Sequence, residues 1–130
     1  MKNDAFLTDT KGAAALEFAI LAPVFLFLIF CLIQFGLVVW TQAAIQHGAS
    51  AAARCGAVNS SLCGTDEGVR NFAAQSSFGL NPSAQIFHVS QETCGTMVKA
   101  SLPYAGGATP ISLPQFRLTA KACFGRGAAS

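Results

Sequence analysis

The sequence is poor in charged residues. Only 11% of its 130 residues are Asp, Glu, Lys or Arg, less than half of the roughly 25% that is typical of soluble domains. The net charge is +2, and the basic residues of the carboxyl-terminal two thirds are scattered singly, at Arg54, Arg70, Lys99, Arg117, Lys121 and Arg126. Because no basic stripe with interleaved aromatic residues is present, the composition argues against a nucleic-acid partner. The length allows one domain at most.

The sequence also lacks a recognisable catalytic constellation. His47 and His88 have no carboxylate or nucleophile at a suitable spacing, and the chain has neither a nucleophile-elbow pattern nor a glycine-rich phosphate loop. We interpret both as structural or surface histidines, and we expect no enzymatic activity and no cofactor. A membrane enzyme that uses His88 or an external carboxylate such as Glu92 is the weakest alternative.

Apolar residues are concentrated in one long run, Phe18 to Trp40, whose only polar side chain is Gln34. At 1.5 Å per residue this run spans about 35 Å, which is enough to cross a bilayer. The run therefore predicts one transmembrane helix. Pro23 removes a backbone donor and frees the carbonyl of Ala19, which predicts a kink that is either neutral or a hinge.

Two other interpretations of this run are weaker. The apolar region of a removable secretory signal is about 7–15 residues long and ends at a small-x-small cleavage site. Here the run is longer, and the nearest such sites lie beyond Trp40. A buried helix of a soluble protein would need a polar face, and none exists between Phe18 and Val39.

The five cysteines fall into two groups. Cys31 lies within the apolar run and is expected to behave as a small hydrophobe, whereas Cys55, Cys63, Cys94 and Cys123 follow it. Four cysteines in a short external segment predict two disulfides and an oxidising compartment. Three connectivities are possible, and we favour Cys55–Cys63 with Cys94–Cys123 because each pair brackets a local unit. Cys55 and Cys63 are too far apart for the close pairs of a zinc site, so we expect no metal.

The same cysteines orient the chain. Lys2 and Lys11 precede the apolar run, and only Arg54 lies within reach behind it, so the charge bias is weak. Disulfides require the carboxyl-terminal part to lie outside the cytoplasm. We therefore expect a cytoplasmic amino terminus, a single membrane span in contact with lipid, and an external carboxyl-terminal domain.

Small residues dominate the segment from Thr41 to Arg54, which we expect to continue the helix. Ala44 and Gly48 form a small-xxx-small pair, which favours close contact with another helix. Alanine is also simply a good helix former. Gly56 and the cluster at residues 59–61 then predict a loop that the first two external cysteines close.

The remaining residues predict a small α+β domain. Thr65 or Asp66 can cap a helix that ends near Ser77, and its inner side carries Val69, Phe72 and Ala73. Asn81-Pro82 breaks this helix. Three strand candidates follow, namely Gln85–Gln91, Val98–Tyr104 and Phe116–Phe124, with Pro103 at an edge or a strand end and a loop from Ala105 to Gln115. We expect a three-stranded antiparallel sheet that the short helix covers and that the disulfides stabilise.

Glu17 is the one acidic residue beside the apolar run. A carboxylate at the membrane boundary either extends to the headgroups or requires a partner. Cleavage after Gly12 would create an α-amino group on Ala13, four residues before Glu17. These two charges can neutralise each other within one chain or between neighbouring subunits.

The motif at this position resembles a known signal. Gly12-Ala13 with Glu17-Phe18 is similar to the class III signal of type IV pilins and pseudopilins, in which a prepilin peptidase cuts after the glycine on the cytoplasmic side. The longer segment from Gly12 to Pro23, together with residues 51–54, resembles TadE-like proteins, which are minor pseudopilins of the tight-adherence (Tad/Flp) pilus, a type IVb system. Ala13, where type IVa pilins usually have phenylalanine, favours this branch. TadF-like proteins share the signal and are the nearest alternative, whereas the major Flp pilin is shorter and TadG-like chains are longer.

The resemblance implies a minor pseudopilin that is cleaved between Gly12 and Ala13 and that helps to initiate, cap or tether an adhesive pilus. Glu17 and Phe18 would serve peptidase recognition and assembly. The implied partners are the prepilin peptidase, other minor and major pilins, inner-membrane assembly proteins and lipid. The implied regions are a leader at residues 1–12, a helix at 13–54 and a periplasmic domain at 55–130. The implied location is the bacterial inner membrane or the pilus itself.

Two further classes of protein stay open at this point. One is a single-pass membrane receptor or binding module that is never processed near Gly12. The other is a secreted disulfide protein whose mature chain begins beyond Trp40. The amino terminus of the natural protein distinguishes all three.

Overall fold

The computed structural model describes residues 10–104, 116–125 and 127. Leader residues 1–9, the predicted loop Ala105–Gln115 and Arg126 lie outside the described residues. In chain order the elements are helix α1 (Thr10–Val58), helix α2 (Ser60–Cys63), helix α3 (Asp66–Gln75), a 3₁₀ turn (Ala84–Ile86), and strands β1 (Phe87–Glu92), β2 (Gly95–Tyr104) and β3 (Phe116–Phe124). The predicted α+β class is confirmed. The chain divides into an amino-terminal unit, residues 1–37, and a carboxyl-terminal unit, residues 38–130.

Helix α1 exposes its large apolar residues throughout the amino-terminal unit. Phe18 is 73% exposed and Phe35 is 69% exposed, because the sequence places apolar residues all round the helix and leaves no polar face. A helix of this kind is stable only when lipid or protein covers it. The helix runs without interruption through Pro23, and the kink there stays a prediction.

The sheet of the carboxyl-terminal unit is antiparallel with strand order β1-β2-β3. Its register places Phe87 opposite Ala100 and Ala100 opposite Ala120, so alternate residues of the three strands face one core. Strand β3 has the predicted bounds, and β2 begins at Gly95, three residues earlier than predicted. Strand β1 begins at Phe87 rather than at Gln85, because the first two residues of the predicted strand belong to the 3₁₀ turn.

The core lies between this sheet and two helices. Ile45, Ala49 and Ala52 of α1 are fully buried, as are Phe87 and Val98 of the sheet. Helix α3 adds Val69 and Ala73, which are buried, and Phe72, which is half-buried against the core. These are the three residues predicted for its inner side. The short helix α3 covers the sheet as predicted, and the carboxyl-terminal part of α1 is also part of the core.

Gly48 of α1 allows α3 to approach closely. A Cβ at this position would lie 2.6 Å from the carbonyl oxygen of Ala73, which is closer than real Cβ contacts. The Ser77 hydroxyl also donates to that carbonyl, at 2.8 Å. Gly48 of the predicted small-xxx-small pair thus meets a helix of its own chain, whereas Ala44 lies beside Phe78, which follows that helix.

The carboxyl-terminal end of α1 differs from the prediction. Gly56 lies within α1 rather than in a loop, and the helix ends at Val58. Asn59 then caps α2 by accepting from the backbone amides of Ser61 and Leu62. Gly56 stays helical because it packs on Thr96, so that tertiary contact outweighs its poor helix propensity of about 1 kcal/mol.

Two disulfides link these elements. Cys55–Cys63 joins α1 to the end of α2, and Cys94–Cys123 joins the β1–β2 turn to β3. These are the two pairs that the sequence favoured. Cys31 is a free, exposed cysteine on the amino-terminal part of α1.

Candidate functional site

The predicted cleavage site lies in the first turn of α1, which begins at Thr10. Gly12 and Ala13 are both exposed, and a Cβ on Gly12 would meet nothing within 4 Å. A glycine in a helical turn costs about 1 kcal/mol relative to alanine, and helix ends fray readily. The bond after Gly12 is therefore accessible and lies where local unwinding is easiest.

Helix geometry places Glu17 close to the amino group that cleavage would create. Four residues separate Ala13 from Glu17, so the two lie about 6 Å apart along the axis and within about 40° around it. Gly12, five residues away, is turned about 140° from Glu17. An amine on Ala13 therefore shares a helix face with the carboxylate, and the glutamate side chain is long enough to approach it.

Glu17 is exposed in the helix, as are its neighbours. Among the side chains that the structure describes, the ion pair is between Lys99 and Glu92, at 3.9 Å, and none involves Glu17. A charged carboxylate is costly in hydrocarbon unless it is paired or reaches water. The carboxylate of Glu17 is thus available for a partner.

The groove that follows Glu17 along the helix is lined by apolar side chains. Phe18, Leu21, Ala22 and Phe25 line a shallow groove along this part of the helix. Within the described residues, one helix, Gly12–Val58, is long and apolar enough to cross a membrane, with a mean hydropathy of 2.7 in its most apolar window. The arrangement suits a membrane anchor whose exposed surface is covered by lipid or by other helices.

The two histidines do not come together. The Nδ1 atom of His47 lies 3.0 Å from the carbonyl oxygen of Ser76, and its ring stacks on Phe78 at 4.2 Å. His88 is exposed on β1. No group of three or more His, Cys, Asp or Glu side chains that could hold a metal occurs in the part of the chain that the structure describes.

The comparison with protein families concerns this same helix. A family model described as TadE-like protein matches residues 12–54. This segment is TadE-like. The predicted resemblance is confirmed over that range, which begins at the glycine of the predicted cleavage site and ends at Arg54. No curated protein and no solved structure matches the chain, and the strands lie outside the TadE-like segment.

Sequence reasoning missed one pair of residues within the TadE-like segment. The side-chain amide of Gln42 donates to the carbonyl of Thr119 at 2.8 Å, and that of Gln46 donates to the carbonyl of Lys121 at 3.1 Å. The two glutamines bind the outer edge of β3 and fix α1 against the sheet. The sequence feature that could have indicated them is a pair of amide side chains one helical turn apart, directly after the apolar run.

Proposed function

We propose that the protein is a minor pseudopilin of a Tad/Flp-type adhesive pilus, processed by a prepilin peptidase between Gly12 and Ala13. One observation carries the proposal. The TadE-like match begins at Gly12 and covers the exposed apolar residues of α1 from Leu16 to Trp40. Cleavage signal, membrane anchor and assembly surface would thus be one continuous helix.

Processing at Gly12 would be a cytoplasmic event. The leader carries Lys2 and Lys11, and positive residues favour the cytoplasmic side of a span. The two disulfides of the carboxyl-terminal unit form in an oxidising compartment, which in this proposal is the periplasm. The chain would then cross the inner membrane once, with its folded unit outside.

Glu17 would align the processed subunit during assembly. The new α-amino group of Ala13 and the carboxylate of Glu17 carry opposite charges beside a hydrocarbon layer, where their attraction is much stronger than in water. A subunit displaced along its neighbour by one turn would lose the charge pairing between the two chains, which is costly beside hydrocarbon. The pair therefore favours one axial register between neighbouring helices, in addition to the intrachain contact.

The proposed role is structural rather than enzymatic. The apolar groove at Phe18 would contact lipid before assembly and other pilins, minor or major, afterwards. Inner-membrane assembly proteins would complete the set of partners. The folded unit at the far end of the helix would lie on the outer surface of the membrane or the pilus.

The first test replaces Glu17 by glutamine, which keeps the shape and removes the charge. We expect Glu17→Gln to insert into membranes at least as well as the parent, because a neutral side chain crosses hydrocarbon more easily. Its recovery in sheared or co-purified pilus complexes should fall about tenfold or more, as expected for one lost charge pair of about 1.4 kcal/mol or more in a low-dielectric setting. Quantitative immunoblots of membrane and pilus fractions measure both.

The matched control is Glu67→Gln, an exposed carboxylate in the first turn of α3. It should leave both recoveries near the parent level. Equal recovery of Glu17→Gln and parent in complexes would remove the assembly role of this residue.

The second test concerns the bond itself. Gly12→Val should abolish cleavage in cells that contain the peptidase, because a β-branched side chain would replace the glycine of the signal. The blot would show one band of precursor size. Gly36→Val is the control, because that glycine also has open space around it and lies in the same helix; this variant should be cleaved normally. Normal processing of Gly12→Val would show that cleavage does not depend on this glycine and would contradict the proposed site. A parent protein that stays at precursor size would favour the receptor or binding-module alternative.

A further inference from the structure

Two hydrogen bonds fix the relative direction of α1 and β3 in the carboxyl-terminal unit. Gln42 binds the carbonyl of Thr119, and Gln46 binds that of Lys121. Four helical residues advance about 6 Å and two strand residues about 6.6 Å, so the spacings match. Helix and strand therefore run in the same direction, and the start of β3 lies at the Trp40 end of the unit.

Phe116 begins β3, three residues before Thr119. It therefore lies about 10 Å closer to the Trp40 end than Thr119 does. Tyr104 is its cross-strand partner, and the two rings stack at 5.3 Å. Both rings thus lie at or beyond the level of Trp40, the last residue of the apolar run.

Phe78, which follows α3, also lies at the Trp40 end of the carboxyl-terminal unit. Helix α3 runs opposite to α1, since Val69 packs near Gly56 whereas Ser77 packs at Gly48. The chain therefore leaves α3 towards Trp40. Phe78 stacks on His47 and lines a small apolar cavity with Trp40, Ala43 and Ala44.

Phe78 combines an unfavourable backbone conformation with an exposed side chain. Its φ is 26°, in a region that bulky residues rarely adopt. Phe78 is nevertheless 57% exposed as a residue, and Trp40 is 60% exposed. The fold thus holds two large aromatic side chains on its surface. Backbone strain of this kind is found preferentially where a side chain has a function.

The charged residues of the carboxyl-terminal unit are unevenly distributed between its two ends. The three acidic residues of the unit are Asp66, Glu67 and Glu92. The first two begin α3, at its end away from Trp40, and Glu92 pairs with Gly95 next to the carboxyl end of β3. Arg117, by contrast, follows Phe116 directly and is exposed. Among the residues that the structure describes, the end with Trp40 therefore has a cation and no carboxylate, which suits a surface of anionic lipid headgroups.

We propose that Trp40, Phe78, Tyr104 and Phe116, which we call the aromatic end, rest in the headgroup layer of the outer face of the membrane. The occupant of this surface is lipid, because the aromatic end is continuous with the apolar run and aromatic side chains favour the boundary between headgroups and acyl chains. The inference rests on the membrane span in the proposed function. It adds that the folded unit is docked on the bilayer before assembly rather than held only by its helix.

The experiment uses the full-length protein in vesicles whose lipids are brominated high on the acyl chain. Trp40 is the only tryptophan, so its emission reports its depth without any substitution. In a Trp40→Phe background, Phe78→Trp and Phe116→Trp report the aromatic end. Phe124→Trp is the matched control, because Phe124 ends the same strand and is 41% exposed against 40% for Phe116.

Bromolipid should lower emission by about twofold or more at positions 40 and 116 and by less at 78, because interfacial side chains lie within reach of the bromine. Position 124 lies about 26 Å along the strand from position 116 and should be unaffected. The inference is overturned if tryptophan at 78 and 116 is quenched no more than at 124.

Other outcomes identify which statement fails. Quenching at Trp40 without quenching at positions 78 and 116 would support the membrane span and contradict docking of the folded unit on the bilayer. No quenching at Trp40 would contradict both the membrane span and the docking of the folded unit. If positions 78 and 116 are shielded from both bromolipid and aqueous iodide, a protein occupies the aromatic end, and the lipid assignment is wrong.

Discussion

The two parts of α1 use hydrophobic residues in opposite ways. In the amino-terminal unit the helix exposes large side chains, such as Phe18 and Phe35. In the carboxyl-terminal unit the same helix buries small ones, such as Ala49 and Ala52. Nothing interrupts the helix between them. The comparison shows that one secondary-structure element is built for two surroundings.

Side-chain size, rather than hydropathy, distinguishes the two parts. Large apolar side chains present much area to lipid, whereas alanine and glycine allow the backbones of neighbouring elements to come close. The close contact of Gly48 with α3 depends on this second property. A sequence profile of hydropathy alone would extend the anchor too far into the folded unit.

The largest difference between the parts is expected for phenylalanine. Phe87 is fully buried in the carboxyl-terminal unit, whereas Phe25 is 63% exposed on the helix. Phe87→Ala should lower the free energy of unfolding of that unit by about 3–5 kcal/mol, because it leaves a cavity in the core. Phe25→Ala should leave it unchanged. Urea titration in detergent, with unfolding of the unit monitored by limited proteolysis, measures both free energies. An equal loss of stability in the two variants would contradict the division of α1 into an exposed part and a core part.

Glycine gives the second comparison. Gly48→Val should destabilise the unit by about 1–3 kcal/mol, because the new side chain would overlap the backbone of α3. Gly36→Val should have no effect, because the space around Gly36 is open. The same urea titration applies. A Gly48 variant as stable as the parent would mean that α3 does not pack on α1 in this way.

The smallest effect concerns the glutamines that bind the edge of β3. Gln42→Ala and Gln46→Ala should each cost about 0.5–1.5 kcal/mol, the net contribution of one hydrogen bond. Gln75→Ala, at an exposed position of α3, is the control and should cost less. Amide hydrogen exchange in β3 should also accelerate in the two variants. Unchanged exchange there would show that these bonds do not protect the strand edge.

Much of this architecture could be predicted from the sequence because its signals are local. The apolar run, the cap at Thr65 and the alternation in Phe116–Phe124 each depend on neighbouring residues. The cysteine pairs Cys55–Cys63 and Cys94–Cys123 follow the local units that they bracket. The motif at Gly12, from which the family resemblance was recognised, also consists of neighbouring residues.

The features that were missed depend on long-range contacts. Gly56 stays helical because it packs against Thr96 of β2, which no local pattern shows. Ala44 and Gly48 looked suited to another helix, but only the fold identifies that helix as α3. The bond from Gln42 to Thr119 joins residues 77 positions apart. Such contacts decide where α1 ceases to be an anchor and becomes part of a core.

The most direct measurement is the mass of the protein purified from its native membranes, with its amino terminus sequenced. Our account gives a mature chain that begins at Ala13, so that an amine lies one turn from Glu17, while both disulfides remain intact. Recovery of every molecule with residues 1–12 still attached would contradict the proposal that this helix is a processed pilin anchor.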